Sequence, residues 1–138
     1  MRVWARRLLA LVAWAFVIAI VIQVLIAGLA VFDGPGWWVR HVWWLHRFEW
    51  LTVVIVVLAY VARATRAVKW LAWLAVLQLS LQYTTSEFRL SPTHRAWGAL
   101  HAVNAMLLFL VAVEIARRAS ARYQADSSPT VSTRPAAG

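Results

Sequence analysis

The 25 residues from Leu8 to Phe32 carry no charge, and Gln23 is the one strongly polar side chain among them. As a helix rising about 1.5 Å per residue, the run reaches about 37 Å, enough to cross a bilayer with some tilt. Arg2, Arg6 and Arg7 precede it, as basic residues precede the apolar core of a signal peptide. That core is about 7–15 residues long, however, so an uncleaved membrane span is expected.

Three further spans follow. Residues 42–62 are apolar apart from His46, Arg47 and Glu49 near their start. Residues 70–84 are shorter and turn polar through Gln78, Ser80 and Gln82. Residues 97–116 carry His101, Asn104 and a late Glu114. The β-branched stretch Thr52–Val57 has strand character locally, but its uninterrupted length in a membrane favours a helix.

Composition closes the other routes. The chain has 138 residues, of which 63% are hydrophobic and 14% charged. A soluble domain is about half apolar and a quarter charged, and a core of this size cannot hide the excess. A soluble enzyme, a DNA-binding domain and a wholly disordered chain are excluded. There is no cysteine, which removes disulfides, thiolate metal sites and cysteine nucleophiles.

The net charge of +9 is distributed by side of the membrane. Arg2, Arg6, Arg7, Arg63, Arg66, Lys69, Arg117, Arg118, Arg122 and Arg134 fall on one side. Arg40, Arg47, Arg89 and Arg95 fall on the other. The positive-inside rule puts both termini in the cytoplasm. The charge is therefore first a topology signal and secondarily an attraction to anionic lipid; no nucleic-acid partner is expected. The expected fold is all-α: an integral membrane four-helix bundle, up-down-up-down, formed by residues 1–122 in a bacterial cytoplasmic membrane. Residues 123–138 are expected to be a disordered cytoplasmic tail.

Ten tryptophans cluster near span ends, as an interfacial aromatic belt does. The histidines carry a subtler pattern. Gln23 precedes His46 by 23 residues, and Gln78 precedes His101 by the same interval. One helical turn beyond each histidine stands a polar residue, Glu49 or Asn104. His46 lies 17 residues before Arg63 and His101 lies 16 before Arg117. The two imidazoles are thus expected at nearly one depth, just under the outer surface, facing each other between spans two and four.

Two neutral imidazoles across a dry cavity suit heme b, whose iron takes axial nitrogens. On this reading His46 and His101 are the metal ligands, and Arg47 and Arg95 meet the propionates. Glu49, Asn104, Gln23 and Gln78 then surround the site and orient the imidazoles. His41 and His94 fall in the outer loops and look less confined. The same residues are open to plainer readings: interhelical hydrogen bonds worth about 0.6–2 kcal/mol, or ion and proton handling. Gln78 and Gln82 make a polar stripe that lines a quinone pocket or packs against His46 and Glu49. Gly28 and Gly98 are expected to let helices approach closely.

The stretch Gln23-Val-Leu-Ile-Ala-Gly28, followed after a short loop by Leu45-His46-Arg47, resembles the first hairpin of one half of heme A synthase. Leu90-Ser91-Pro92 followed by Leu100-His101-Ala102 resembles the second hairpin. The chain also resembles small bacterial four-span membrane proteins of unknown function. The first resemblance implies a cytochrome b-like four-helix half over roughly residues 22–113, with His46 and His101 as axial ligands. It departs from that family in carrying Glu49 after the histidine rather than a Glu before it. Oxidation of a heme methyl group therefore does not transfer, and whether the chain is an enzyme is left open.

Two functions follow. One is a bis-His heme b protein with a redox or heme-handling role near the outer face, exchanging electrons with quinone or another membrane protein. The alternative is a cofactor-free accessory or structural subunit of a larger membrane complex.

Overall fold

A computed structural model of the chain describes residues 2–87, 93 and 95–127. The elements are α1 (Arg2–Phe32), α2 (Trp37–Phe48), α3 (Trp50–Val61), α4 (Arg66–Glu87) and α5 (Ala99–Ser127). A 3-10 turn, Arg95–Gly98, leads into α5. No strand occurs among the described residues, so Thr52–Val57 is helical as expected.

α2 and α3 are one rod with a joint at Glu49, whose backbone keeps helical angles (φ −54°, ψ −35°). There the Thr52 amide donates to the Glu49 carbonyl at 3.1 Å, a tighter i→i−3 bond. The Thr52 hydroxyl donates to the same oxygen at 2.7 Å. A short 3-10 step inside an α-helix is the result. Counting the rod once gives four helices in a ring. α1 lies beside the α2–α3 rod, α3 beside α4, α4 beside α5, and α5 closes on α1. α1 and α4 are diagonal, as are α5 and the rod.

Three helical segments are long and apolar enough to cross a membrane: Val3–Phe32, Trp37–Val61 and Ala96–Ala125, with mean hydropathy 2.9, 1.5 and 2.0. α4 is the exception. It is 22 residues long, but Lys69, Gln78, Ser80, Gln82, Thr84 and Thr85 dilute its apolar surface. The expected spans also lengthen at their ends. α2 begins at Trp37, because Trp37, His41, Trp44 and Phe48 recur at helical spacing from the start of the segment. α5 runs through to Ser127, so the first residues assigned to a tail are helical; residues 128–138 lie outside the described part.

The core is built from small residues. Ala10 and Ala13 on α1, Ala59 and Ala62 at the end of the rod, Ala72 and Ala75 on α4, and Ala112, Ala116 and Ala119 on α5 are all buried. Phe16, Ile55 and Ile115 are the largest side chains shut off completely. Alanine permits close van der Waals contact between helices, the contact on which association of apolar helices in lipid relies. Gly28 has no such role: a Cβ placed there meets nothing within 4 Å.

The turn from α3 to α4 is made by local chemistry. Arg63 adopts a left-handed backbone (φ 50°). The Ala64 amide donates to Ala59 O at 2.9 Å and the Arg63 amide to Tyr60 O at 3.0 Å. These two bonds are the Schellman closure of a helix, with arginine where glycine is usual. Thr65 then caps α4, its hydroxyl accepting from the Val68 amide at 3.3 Å. Replacing Arg63 by glycine is expected to raise stability by about 1 kcal/mol, the cost of a left-handed residue with a side chain. Thr65→Ala is expected to lower it by about 1 kcal/mol. Reversible denaturation of the purified bundle in detergent measures both.

Candidate functional site

Polar side chains gather at the end of the bundle that carries the 33–36 turn, and they form three groups on different helix pairs. The first joins α1 to α2. Gln23 Nε2 and His41 Nε2 lie 2.9 Å apart, and both residues are half-buried. If the amide donates, His41 carries its proton on Nδ1; if the imidazole donates, the amide nitrogen is left over. Either way one donor and one acceptor stay unused. Gln23 Oε1 and His41 Nδ1 are indeed buried with no partner among the described residues.

The second group is the seam between α4 and α5. Gln78, Gln82 and Thr85 recur at i, i+4 and i+7 on α4 and are buried. Asn104 Nδ2 donates to Gln78 O at 2.7 Å. His101 Nδ1 lies 3.1 Å from Gln82 O. A carbonyl only accepts, so Nδ1 carries the His101 proton. Thr85 Oγ1 is 3.4 Å from the same nitrogen and donates to Leu81 O at 2.7 Å. With the Gln82 amide turned so that its nitrogen faces α5, it donates to His101 O at 3.0 Å and accepts from the Ala105 amide at 3.1 Å.

The third group lies on the outside, between α2 and α4. Tyr83 donates to Glu49 Oε2. His46 Nδ1 is 3.4 Å from both Glu49 Oε1 and the Tyr83 hydroxyl, and the His46 and Tyr83 rings stack at 6.3 Å. The His46 side chain is 55% exposed and that of Glu49 23%. Two contacts set the level of this cluster. Just before it, the Trp44 indole donates to Ala19 O at 3.0 Å. Just after it, Phe48 packs on Phe16 with ring centroids 6.0 Å apart. Ala19 and Phe16 lie on α1, so the stretch of α2 that carries His46 runs beside that part of α1.

The placement differs from the expected site in definite ways. His46 and His101 reach the same level of α4, residues 82–85, but engage it on different flanks and share no partner among the described residues. Gln78 and Gln82 pack against His101 and Asn104 rather than against His46 and Glu49. Gln23 holds His41, not His46. Arg47 is exposed and stacks on Trp43, with its guanidinium 4.5 Å from the ring centroid. Arg95 opens the 3-10 turn, and its side chain lies outside the described part, as do His94, Arg89 and Leu90-Ser91-Pro92. Axial ligation of heme needs two imidazole nitrogens aimed at one plane in an apolar slot. The side chains present do not fit that group: His46 is turned outward onto Glu49 and Tyr83, and the inner side of α4 is occupied by the Gln78–Gln82–Asn104 bonds.

Sequence reasoning passed over His41, Thr85 and Tyr83. The signal for His41 was present, since it shares the helical face of Trp44 and Phe48, three and seven residues on. Thr85 continues the i, i+4, i+7 series of Gln78 and Gln82. Nothing in the spacing singles out Tyr83.

Residues 23–86 match a family of unknown function (DUF6220). The chain is similar to that family from the middle of α1 to the end of α4. The matched stretch contains Gln23, His41, His46, Glu49, Gln78 and Tyr83 and stops before α5. No curated protein and no solved structure matches the chain, so the likeness to heme A synthase rests on its short motifs alone.

The Gln23–His41 pair makes a clear test. Removing one partner strands the other in the core, whereas removing both leaves no unpaired polar group. Gln23→Leu alone is expected to destabilise the bundle by about 1–2 kcal/mol. Gln23→Leu with His41→Leu is expected to return close to the parent value, giving a coupling on the order of 1 kcal/mol in a double-mutant cycle.

Proposed function

We propose that this chain is a cofactor-free accessory subunit that packs, through the α2–α4 flank, against a larger membrane protein. The observation that carries this reading is the His46–Glu49–Tyr83 cluster. It presents an exposed imidazole and a half-buried carboxyl on the outside of a rod apolar enough to cross a membrane, where lipid tails would offer neither hydrogen bonds nor solvation. Ionisable groups at membrane depth normally face protein or a water-filled cavity. Here they face outward, beside α4, the helix with the least apolar surface. A neighbouring helix carrying hydrogen-bonding side chains would cover both the cluster and the exposed Ser80 and Thr84 on the same helix.

The same reading seats the bundle in a bacterial cytoplasmic membrane. Its basic end (Arg7, Arg63, Arg66, Arg117, Arg118) lies toward the cytoplasm and the 33–36 turn toward the outside, following the charge bias. The interior polar bonds then serve as fastening between helices. Gln78, Gln82, His101 and Asn104 tie α4 to α5, and Gln23 and His41 tie α1 to α2.

Extracted from its native membrane in mild detergent, the full chain is expected to elute within a larger assembly. Glu49→Ala with Tyr83→Ala is expected to release it as a free bundle of unchanged helicity. A parent chain that elutes alone under every mild condition overturns the subunit reading. A reduced-minus-oxidised b-type spectrum that His46→Ala and His101→Ala abolish would restore heme in its place.

A further inference from the structure

We infer that Arg40, stacked on Trp37, and Arg47, stacked on Trp43, form along the exposed flank of α2 a contact strip for the phosphate headgroups of anionic phospholipids. The strip lies on the opposite side of α2 from the Glu49 cluster. At about 100° per residue, Arg40, Trp43 and Arg47 fall within a sector of roughly 60°. His41, Trp44 and Phe48 turn toward α1, and His46 turns toward Tyr83 on α4. The arginine flank therefore faces away from the bundle, with Arg40, Trp43 and Arg47 all exposed.

The two guanidiniums are set alike. Arg40 lies 4.4 Å from the Trp37 ring centroid and Arg47 lies 4.5 Å from that of Trp43. Each reaches back one turn toward the start of α2, the direction in which helical side chains lean. That direction leads to the 33–36 turn, so both charges are carried toward the bundle end, as long basic side chains carry them to a membrane surface.

Chemistry then selects the ligand. A guanidinium stacked on an indole uses its flat face and keeps the N–H edge available, and that edge matches phosphate oxygens bidentately. The nearby acids are otherwise engaged. Asp33 accepts from the Trp37 indole at 2.7 Å, and Glu49 is held by Tyr83. Neither Arg40 nor Arg47 has a carboxylate partner among the described residues. The exposed side chain that flanks the strip, Val39 at 75%, is apolar. An anion attached to acyl chains suits that surround better than a soluble one, and indoles settle at headgroup level.

The test uses the full chain in vesicles of equal phosphatidylglycerol and phosphatidylcholine. Lipids that stay bound after transfer to detergent are counted by native mass spectrometry. The parent chain is expected to retain phosphatidylglycerol preferentially. Arg40→Gln with Arg47→Gln is expected to cut that preference on the order of tenfold, from the contribution of each basic side chain near a headgroup. Arg117→Gln with Arg118→Gln, at the opposite end and already paired with Glu114, is expected to leave most of it. Arg40→Lys with Arg47→Lys keeps the charge but loses the flat edge, and is expected to fall below the parent. An unchanged preference in the glutamine variant overturns the assignment, as does an equal loss in the Arg117/Arg118 control. Should the glutamine variant not fold, parent-level retention in the lysine variant overturns it equally.

Discussion

Close approach between α1 and α5 is the contact on which the rest of the bundle depends. Helices apolar enough to cross a membrane gain little from pairing in lipid unless shape and hydrogen bonds match. Ala10 and Ala13 on one side and Ala112, Ala116 and Ala119 on the other are all buried, and among the described residues this is the most extensive helix pair. With that seam closed, the first and last helices lock the ring. The rod and α4 are then held on the far side, where polar side chains do more of the joining.

The two ends of the bundle are built from different materials. Toward the termini, Leu9, Ile55, Ala59, Ala62, Val68 and Ile115 make an apolar core. Around it stand the basic residues, with Arg6 Nε donating to Ala62 O at 3.4 Å. Toward the 33–36 turn, the helices are joined by directional bonds: Gln23 with His41, Asn104 with Gln78, His101 with Gln82. Such bonds add modest energy in a membrane, but they fix which faces meet. α4 takes part in two of the three polar groups, one on its inner flank and one on its outer.

Much of this is legible in the residues. Uncharged length announces α1, and the apolar run after Glu49 announces α3. Helical polarity is visible in Gln78 and Gln82, one turn apart. What a one-dimensional pattern does not carry is which neighbour a polar face meets. His46 and His101 share spacing, surroundings and level along α4, and every sequence regularity pairs them. Their partners are decided by rotation about the helix axis, and the tight step at Glu49 sits inside the very rod whose rotation matters. A shift of one residue turns a side chain by about 100°, enough to move His46 from the core to the outside. His41 was masked for another reason. It lies among tryptophans and an arginine that read as loop and interface, and only the face shared with Trp44 and Phe48 reveals it as an inward residue.

The uneven polarity of α4 bears on how the chain is made. A segment with Gln78, Ser80, Gln82, Thr84 and Thr85 along its length has little tendency to leave the translocation machinery sideways into lipid by itself. α5 is strongly apolar and supplies the amide and imidazole that cover Gln78 and Gln82. In a membrane, a helix such as α4 would be accommodated more readily paired with α5 than alone.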